Sequence, residues 1–497
     1  MRILTPDEAV LLIEDGWRVI SGGFGCCGHP DSLTQALRRR FQETGHPRDL
    51  RLFFASGGGD KRGAGLDALA LPGLIKEAVG GFWGFCPSLT AMACSGEISA
   101  HNWPQGVVSK MFSAIGAGER EMSSPIGLGT FIDPRLEGGV VSPHTSPLIE
   151  LRGEGRDEAL VYPALTPNCC LLRATAADAR GNISMKRETS YMDALAQAIA
   201  VRNSGGIVIV QVEEIVARHD SLPEIQIPGM LVDYVVKTDE AHPASYGVPS
   251  DPRFISPGSC NGEGRGAEMS GAKSIIVERA LEELQRFRGE HVNFGIGVPA
   301  LIGAAARRRG IDNIWATIES GVVGGVPEEG LAFGASVHPD AIISQPALFD
   351  FYHGGGIAAA FLGFGEIDFY GNVNVSRFGD RMPGAGGFIN ISQSARAVIF
   401  CGTFTAKGLD VDRLDGRVII RREGGVRKLV PNVTQRTFSA ERARQLGQEV
   451  LYITERAVFR LGIDGLELIE CYPGIEIGSV LSATGAKSAF AYASPLN

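Results

Sequence analysis

The chain has 497 residues, which is enough for two or three domains. Of these residues 44% are hydrophobic and 21% are charged, an ordinary composition for a globular protein. The net charge of −9 argues against a nucleic-acid partner, and no apolar run reaches the roughly 18 residues of a membrane span. Nine cysteines without CxxC spacing, and scattered histidines, predict no metal site, no complete disulfide framework and a reduced, cytoplasmic protein.

Strand-like and helix-like segments alternate from the N-terminus to about residue 240, which predicts an α/β domain with a largely parallel sheet. Residues 1–10 are typical of a capped helix and not of a signal peptide. A connector rich in proline and glycine follows, and then a helix over about 270–288 opens a second α/β domain. We therefore divide the chain into domains at 1–240 and 273–497, joined by a connector at 241–272.

Similar segments occur in the same order in both halves, which indicates an internal repeat. In each half an apolar strand and a glycine turn lead into a helix that ends in three arginines. Four pairs of segments correspond: 20–30 with 292–299, 51–57 with 315–321, 178–182 with 368–372, and 206–210 with 397–400. We expect two related open α/β domains with the active site at the domain interface, where water is excluded.

One difference between the repeats singles out Glu319. It follows the strand-like run Asn313–Ile318 and precedes a glycine turn, while Ala55 takes the same place in the first half. A carboxylate at the carboxyl end of a buried strand lies where α/β proteins place their chemistry. A helix cap or a buried, hydrogen-bonded acid is the alternative, and the alanine of the first half favours a functional role.

A glycine turn lies between a predicted strand and a predicted helix at Gly295, Ile296, Gly297 and Val298. Its backbone N–H groups and the helix N-terminus are suited to an anion or an oxyanion. A tight turn without a ligand is equally consistent with the motif. Pro299 stands where a dinucleotide fingerprint needs its third glycine, so we do not predict that fold.

A second glycine turn contains Gly384, Gly386 and Gly387, and its small residues would let a backbone amide point at a developing oxyanion. A flexible loop is the alternative. Gln105, in the segment Pro104-Gln105-Gly106, carries a side-chain amide that can donate to an oxyanion. Taken alone, an ordinary loop glutamine is the better interpretation.

Together these motifs resemble the family I coenzyme A transferases, specifically the fused-chain acetate/propionate type, and are similar to succinyl-CoA:3-ketoacid CoA-transferase. The resemblance covers nearly the whole chain. It rests on Glu319 and on segments 22–25, 127–135 (GxGTFxDPR), 295–299 (GIGxP), 384–387, 405–408 and 472–475.

The resemblance implies that Glu319 is the nucleophile and carries CoA as a γ-glutamyl thioester. It implies an oxyanion hole of Gln105 and the amide of Gly386 or Gly387, and a CoA site lined by 295–298 and Gly384. We expect ping-pong transfer of CoA from a short-chain acyl-CoA to a small carboxylic acid such as acetate, as in ketone-body metabolism. The resemblance also implies no tightly bound cofactor and a homodimer or homotetramer. An acyl-CoA hydrolase or a non-catalytic CoA-metabolite-binding protein is the alternative, and the sequence does not indicate which acids are exchanged.

Overall fold

A computed structural model describes residues 2–239, 241–258, 269–311 and 313–488 and divides them into two compact units. The first unit comprises 2–258, Ile318–Asp350 and Gly379–Asn390, and the second comprises 269–317, Phe351–Phe378 and 391–488. The predicted boundaries 1–240, 241–272 and 273–497 follow the sequence repeat and stay a prediction. Of the predicted connector, 259–268 lies outside the described residues.

An eight-stranded parallel sheet forms the centre of the first unit, with the strand order β1-β8-β7-β6-β2-β3-β4-β5. Every residue of its longest central strand, Cys169–Asp178, is buried, as expected for a parallel strand covered on both faces. The strands are β1 Arg2–Leu4, β2 Arg18–Ser21, β3 Leu50–Ser56, β4 Ile75–Phe82, β5 Ser99–Asn102, β6 Cys169–Asp178, β7 Ile207–Val216 and β8 Tyr234–Lys237.

Helices cover both faces of this sheet and create two apolar cores. Because successive strand residues point to opposite faces, Phe53 lies in one core with Trp103 and its neighbour Phe54 lies in the other with Trp83. The helices of this part of the chain are α1 Pro6–Val10, α2 Asp31–Thr44, α3 Pro87–Ser95, α4 Gln105–Gly116 and α5 Ala194–Asn203.

Short strands complete the first unit, and most of them pair with one another outside the eight-stranded sheet. They are Glu121–Ser124, Glu150–Arg152, Ala159–Pro163, Ile183–Ser184, Ile225–Ile227, Val322–Val323, Val326–Pro327, Ser336–Val337 and Ala341–Ile342.

The second unit is built on a sheet with the strand order β10-β9-β11-β12-β13-β14-β15, parallel from β10 to β13 and antiparallel beyond. Its strands are β9 His291–Phe294, β10 Trp315–Ile318, β11 Ala359–Leu362, β12 Ala397–Cys401, β13 Glu449–Ile453, β14 Ala457–Leu461 and β15 Leu466–Cys471. The remaining helices of the chain are α6 Gly271–Leu284, α7 Val298–Arg308, α8 Gln345–Phe351, α9 Phe388–Ser394, α10 Ala440–Leu446 and α11 Ile477–Thr484.

Short antiparallel pairs extend the second unit at Glu366–Asp368 with Val373–Asn374, Thr405–Ala406 with Val426–Arg427, and Asp410–Leu414 with Arg417–Arg422, while Leu429–Val430 and Lys487–Ser488 add parallel strands.

The strand order confirms the predicted pair of related α/β folds. Strands β3-β2-β6-β7-β8 of the first sheet have the same order and direction as β10-β9-β11-β12-β13 of the second. Three of the four matched pairs of segments fall on corresponding strands, and the fourth pair, 178–182 with 368–372, forms a turn in each half. None of the helices in the described part of the chain has the length and apolar character needed to cross a membrane.

A buried ion pair ties β6 to the segment that precedes α5. Arg173 donates from Nη2 to Glu188 Oε2 at 2.6 Å and to the Pro243 carbonyl at 3.0 Å, and both charged side chains are buried. Burial by itself would raise the pKa of Glu188, but the Arg173 guanidinium and the His242 side chain together outweigh it, and the pKa falls to about 2.

Arg173→Ala is expected to lower the free energy of unfolding by about 3–5 kcal/mol, because it leaves the Glu188 carboxylate buried without its partner. Denaturant unfolding measures this loss. Arg187→Ala is the matched control: Arg187 pairs with Glu213 but is partly exposed, so its loss should cost only about 1 kcal/mol. Equal losses for the two variants would contradict the account of the buried pair.

Candidate functional site

Glu319 is the first residue after strand β10, and the strand end beside it is anchored in an apolar cluster. Ile318 packs in this cluster with Phe24, Met192 and Phe333, and all four are buried. Phe24 and Phe333 contact each other with ring centroids 5.9 Å apart. Glu319 itself is only partly buried. The residue as a whole therefore keeps some accessible surface, although its backbone leaves a packed strand.

The turn that follows Glu319 is fixed from several sides. Ser320 Oγ donates to the Gly334 carbonyl at 2.7 Å, and Ser190 Oγ donates to the Ser320 carbonyl. The amide of Ile343 donates to the Gly321 carbonyl at 2.8 Å. Gly321 has φ +110°, and a Cβ there would lie 2.0 Å from the Ile343 carbonyl oxygen, so the turn requires glycine. This rigidity holds the carboxylate in one place.

The Glu319 carboxylate is desolvated without a compensating cation. Burial raises its pKa from 4.5 to about 7, opposed only by a hydrogen bond from its own backbone, and no positive charge of a described residue contributes. A raised pKa makes a carboxylate a better nucleophile or base once it is ionised. Strongly perturbed pKa values in partly open positions are typical of functional sites.

Glu319→Gln is expected to stabilise the protein, and by more at alkaline than at acidic pH. The folded-state pKa lies above the unfolded value, so wild-type stability is complete below about pH 4.5 and is lost as the pH rises through about 7. The neutral amide escapes this loss, and we expect a gain of about 1–2 kcal/mol at about pH 8 that falls to about a quarter of this value at about pH 5. Thermal unfolding of both proteins at the two pH values measures it, and a pH-independent difference would contradict the raised pKa.

Gln105 begins helix α4 and is held by the glycine turn that contains Gly386. The backbone amide of Gln105 donates to the Gly386 carbonyl at 2.9 Å, and its side chain is buried. The same turn is tied to the residue after β4 and to the end of β5, because the Trp83 N–H donates to the Pro383 carbonyl at 2.8 Å and the Ala385 N–H donates to Asn102 Oδ1 at 2.9 Å. Hydrogen bonds at Pro383, Ala385 and Gly386 therefore fix this turn, in contrast to the alternative of a flexible loop.

The two candidate amides of this turn, those of Gly386 and Gly387, differ in whether the N–H group already makes a hydrogen bond. The Gly386 N–H donates to the Gly81 carbonyl at 3.0 Å, so it is already used within the fold. The Gly387 N–H makes no hydrogen bond with any residue that the structure describes. Gly384, with φ +78°, leaves no space for a side chain, since a Cβ would lie 2.9 Å from the Gly81 carbonyl oxygen.

A row of buried polar side chains, here called the amide relay, connects Gln105 to Ser109 through Gln345 and Asp193. Gln105 Nε2 lies 3.4 Å from Gln345 Oε1, and Gln345 Nε2 donates to Asp193 Oδ2 at 2.8 Å. Ser109 Oγ donates to the other carboxylate oxygen of Asp193. Gln345 follows two residues after Ile343, which fixes the Glu319 turn, so one segment supports both.

The first unit thus contains Glu319, Gln105, Gly384, Gly386 and Gly387 of the predicted site. The predicted residues Gly295, Ile296, Gly297 and Val298 belong to the second unit and form the turn between β9 and α7. Gly297 has φ +89° and open space where a Cβ would stand, and Ile296 is exposed. This turn therefore presents accessible backbone at the carboxyl end of a parallel strand.

Sequence reasoning missed Asp193, Gln345 and Met192. Asp193 precedes helix α5, where an aspartate is typical of an N-cap, yet its side chain makes no capping hydrogen bond and turns to Ser109 and Gln345. Met192 has φ +52°, which is strained for a methionine. Its carbonyl accepts a hydrogen bond from the backbone N–H of Gln345 at 2.8 Å. No local signal distinguishes these residues, because their partners lie far along the chain.

Comparison with known proteins agrees with the resemblance. The family model described as Coenzyme A transferase matches residues 3–238. The chain is 38% identical over 480 residues to "Acetate CoA-transferase YdiF" of Escherichia coli K12, covering 96% of this chain and 90% of that protein. It is also 38% identical over 488 residues to "Caffeate CoA-transferase" of Acetobacterium woodii, covering 96% of this chain and 92% of that protein.

A solved structure shares the fold over nearly the whole length. It is the crystal structure of the acyl-CoA transferase YdiF from E. coli O157:H7 as a thioester complex with CoA. The TM-score is 0.92 at 35% sequence identity, with 99% of this chain and 95% of that chain covered.

Proposed function

Because the chain belongs to the coenzyme A transferase family, we propose that it moves CoA from a short-chain acyl-CoA to a carboxylic acid with Glu319 as the covalent carrier. The observation that carries the assignment of the carrier is the Glu319 carboxylate itself. It is partly exposed at a strand end, held by a rigid turn and desolvated without a cation, so that its pKa is about 7. A carboxyl group with this pKa is about half ionised at pH 7, and its ionised form is the nucleophile.

Two acyl exchanges at Glu319 complete each half of the reaction. A Glu319 oxygen attacks the thioester carbonyl, the C–S bond breaks, and an acyl-glutamyl anhydride and CoA thiolate result. The thiolate then attacks the glutamyl carbonyl and releases the first acid as its carboxylate, which leaves CoA on Glu319 as a thioester. A second carboxylate attacks that thioester, and the released thiolate takes its acyl group and restores Glu319.

Each attack places negative charge on a carbonyl oxygen, and we propose that Gln105 and the Gly387 amide stabilise it. The Gln105 side chain carries the donor, and its backbone is fixed by the Gly386 carbonyl. We assign the backbone donor to Gly387 because the Gly386 N–H is already used by Gly81. Fixed donors need no reorganisation as the charge develops, which is why they lower the barrier.

We further propose that the turn 295–298 and Gly384 contact the CoA chain. Gly297 has open space beside its backbone, and a side chain at Gly384 would clash with the Gly81 carbonyl. Binding of the remote parts of CoA can offset distortion at the reacting carbonyl. Both turns belong to the predicted domain 273–497. We also propose that the enzyme works without a tightly bound cofactor, as a homodimer or homotetramer.

A cytoplasmic location is part of the proposal and is supported by the thiols. Seven buried cysteines among the described residues form no disulfide, although two pairs are adjacent in sequence, and a reducing compartment suits them. They are Cys26, Cys27, Cys86, Cys169, Cys170, Cys401 and Cys471.

The proposed function is tested with a panel of acyl-CoA donors and acid acceptors, both aliphatic and aromatic. Transfer should give parallel double-reciprocal plots, as expected for a ping-pong reaction, and should require the acceptor acid. Steady loss of thioester without any acceptor would instead assign hydrolysis. Binding of CoA without turnover of any donor would assign a non-catalytic role.

A further inference from the structure

The amide relay is buried along its whole length and contains a carboxylate that the transfer reaction does not use. Ser109, Asp193, Gln345 and Gln105 are each no more than 2% exposed. Asp193 forms no ion pair with a described residue, and its two oxygens accept from Ser109 and Gln345. A buried carboxylate without a cation is expensive, so its presence beside a proposed catalytic amide calls for an explanation.

Above its raised pKa, Asp193 is an ionised carboxylate that accepts hydrogen bonds but cannot donate them, and this gives the amide relay a direction. Gln345 must turn its Nε2 group toward Asp193, which leaves its Oε1 facing Gln105. Gln105 must then turn its own Nε2 group toward Gln345, because two oxygens cannot share a hydrogen bond. The position of the N–H groups on Gln105 therefore follows from the charge of a residue two steps away.

We propose that Asp193, acting through Gln345, is a positioning residue that sets the direction of the Gln105 side-chain amide for the charged intermediate. This inference rests on the proposed function, in which Gln105 donates to the oxyanion. One Nε2 hydrogen of Gln105 faces Gln345, and the second remains for the substrate. The reversed amide would present an oxygen to the developing negative charge and would oppose the reaction.

The side-chain amide is the part of Gln105 that needs such control. Its backbone N–H is bound by the Gly386 carbonyl at 2.9 Å, and the neighbouring Gly106 N–H is bound by Asn390 Oδ1 at 3.0 Å. A terminal amide has two orientations of nearly equal shape, so packing selects weakly between them. A neighbouring atom that can only accept a hydrogen bond selects the orientation in which the Gln105 N–H group faces it.

The desolvation of Asp193 argues against a purely structural role. Burial raises its pKa to about 7, and the hydrogen bonds from Ser109 and Gln345 only partly oppose this. An asparagine of the same size would fill the space without the buried charge. It would not enforce the direction, because it can present either its oxygen or its nitrogen to Gln345.

The test is a double-mutant cycle on kcat with wild-type enzyme, Asp193→Asn, Gln105→Ala and the double variant. Asp193→Asn should lower kcat about tenfold and leave KM for acyl-CoA unchanged, while the melting temperature stays equal or rises. In the Gln105→Ala background the same substitution should change kcat by less than about twofold. Loss of kcat in a protein that is no less stable is the pattern that a structural role does not produce.

Two further variants test whether the effect of Asp193→Asn is transmitted through the amide relay. Gln345→Met removes the middle of the amide relay at nearly constant volume and should lower kcat as Asp193→Asn does. Asp67→Asn is the matched control, because Asp67 is a buried aspartate of the same unit that also accepts two hydrogen bonds, from Ser88 and Leu89, and lies outside the amide relay. Its replacement should leave kcat within about twofold of wild type.

The outcomes separate this inference from the proposed function. Equal loss of kcat on Asp193→Asn in the wild-type and Gln105→Ala backgrounds overturns the positioning role, as does an unchanged kcat in the single variant. In either case an active wild-type enzyme leaves the transferase assignment intact. A wild-type protein without any transfer removes both.

Discussion

Glu319→Gln is expected to abolish CoA transfer, lowering kcat by about 10⁴-fold or more while binding of acyl-CoA stays within about threefold of wild type. Glutamine has the shape of glutamate, but its amide nitrogen and oxygen do not attack a thioester at a useful rate. The fold should persist, because the rigid turn is held by Ser320 and Gly321 and not by the carboxylate. Steady-state transfer and acyl-CoA titration on the same preparation measure the two effects.

Glu319→Asp is the control that separates loss of the nucleophile from loss of the site. It keeps a carboxylate but withdraws it by one methylene, so transfer should fall by about 10²-fold and remain measurable. A glutamine variant as active as the aspartate variant would contradict the covalent role of Glu319. A glutamine variant that no longer binds acyl-CoA would point to a binding role in its place.

Gln105→Ala carries the second largest expected effect, a fall in kcat of about 10²–10³-fold with KM for acyl-CoA nearly unchanged. The side-chain amide is proposed to act on charge that exists only in the transition state and intermediates. Its removal should therefore spare ground-state binding. The backbone bond from Gln105 to the Gly386 carbonyl is retained in the variant, so the glycine turn should keep its position.

Gln211→Ala is the matched control for this prediction. Gln211 is a buried glutamine of strand β7 that accepts from the Ser32 amide at 3.0 Å and lies outside the proposed site. Its removal is expected to lower stability but to leave kcat within about twofold of wild type. A rise in KM at constant kcat in Gln105→Ala would show that Gln105 binds substrate and does not act on the oxyanion.

The fold and the proposed role of Glu319 could be predicted because both depend on short segments of sequence that occur in each half of the chain. The repeat places equivalent strands in both sheets, and β3 and β10 occupy the same position in the strand order. Against that pattern the change from Ala55 to Glu319 stands out. A buried strand that ends in a carboxylate and a glycine turn is a signal within seven residues, so no distant contact is needed to see it.

The amide relay could not be predicted, because its meaning depends on distant contacts. Gln105 and Gln345 are 240 positions apart, and Gln345 and Asp193 are 152 apart. Locally, Asp193 has the pattern of a helix N-cap, and Gln345 is the first residue of a short helix. Only the packing of the first unit turns both side chains inward and leaves the N-cap without its usual hydrogen bond.

The choice between Gly386 and Gly387 shows the same limit on a smaller scale. Adjacent glycines are equivalent in sequence, and each offers an N–H group with no side chain in the way. Whether an N–H is available depends on the carbonyl that faces it, and Gly81 takes that of Gly386. The sequence could therefore locate the turn but not the donor within it.

The most direct test of the central claim is the mass of the protein after incubation with acetyl-CoA and no acceptor acid. The account predicts an adduct of CoA less water, located by peptide mapping on Glu319. It should be absent from Glu319→Gln and discharged as new acyl-CoA when a carboxylic acid is added. Full turnover of the wild type with no adduct, or an adduct that persists in Glu319→Gln, would contradict it.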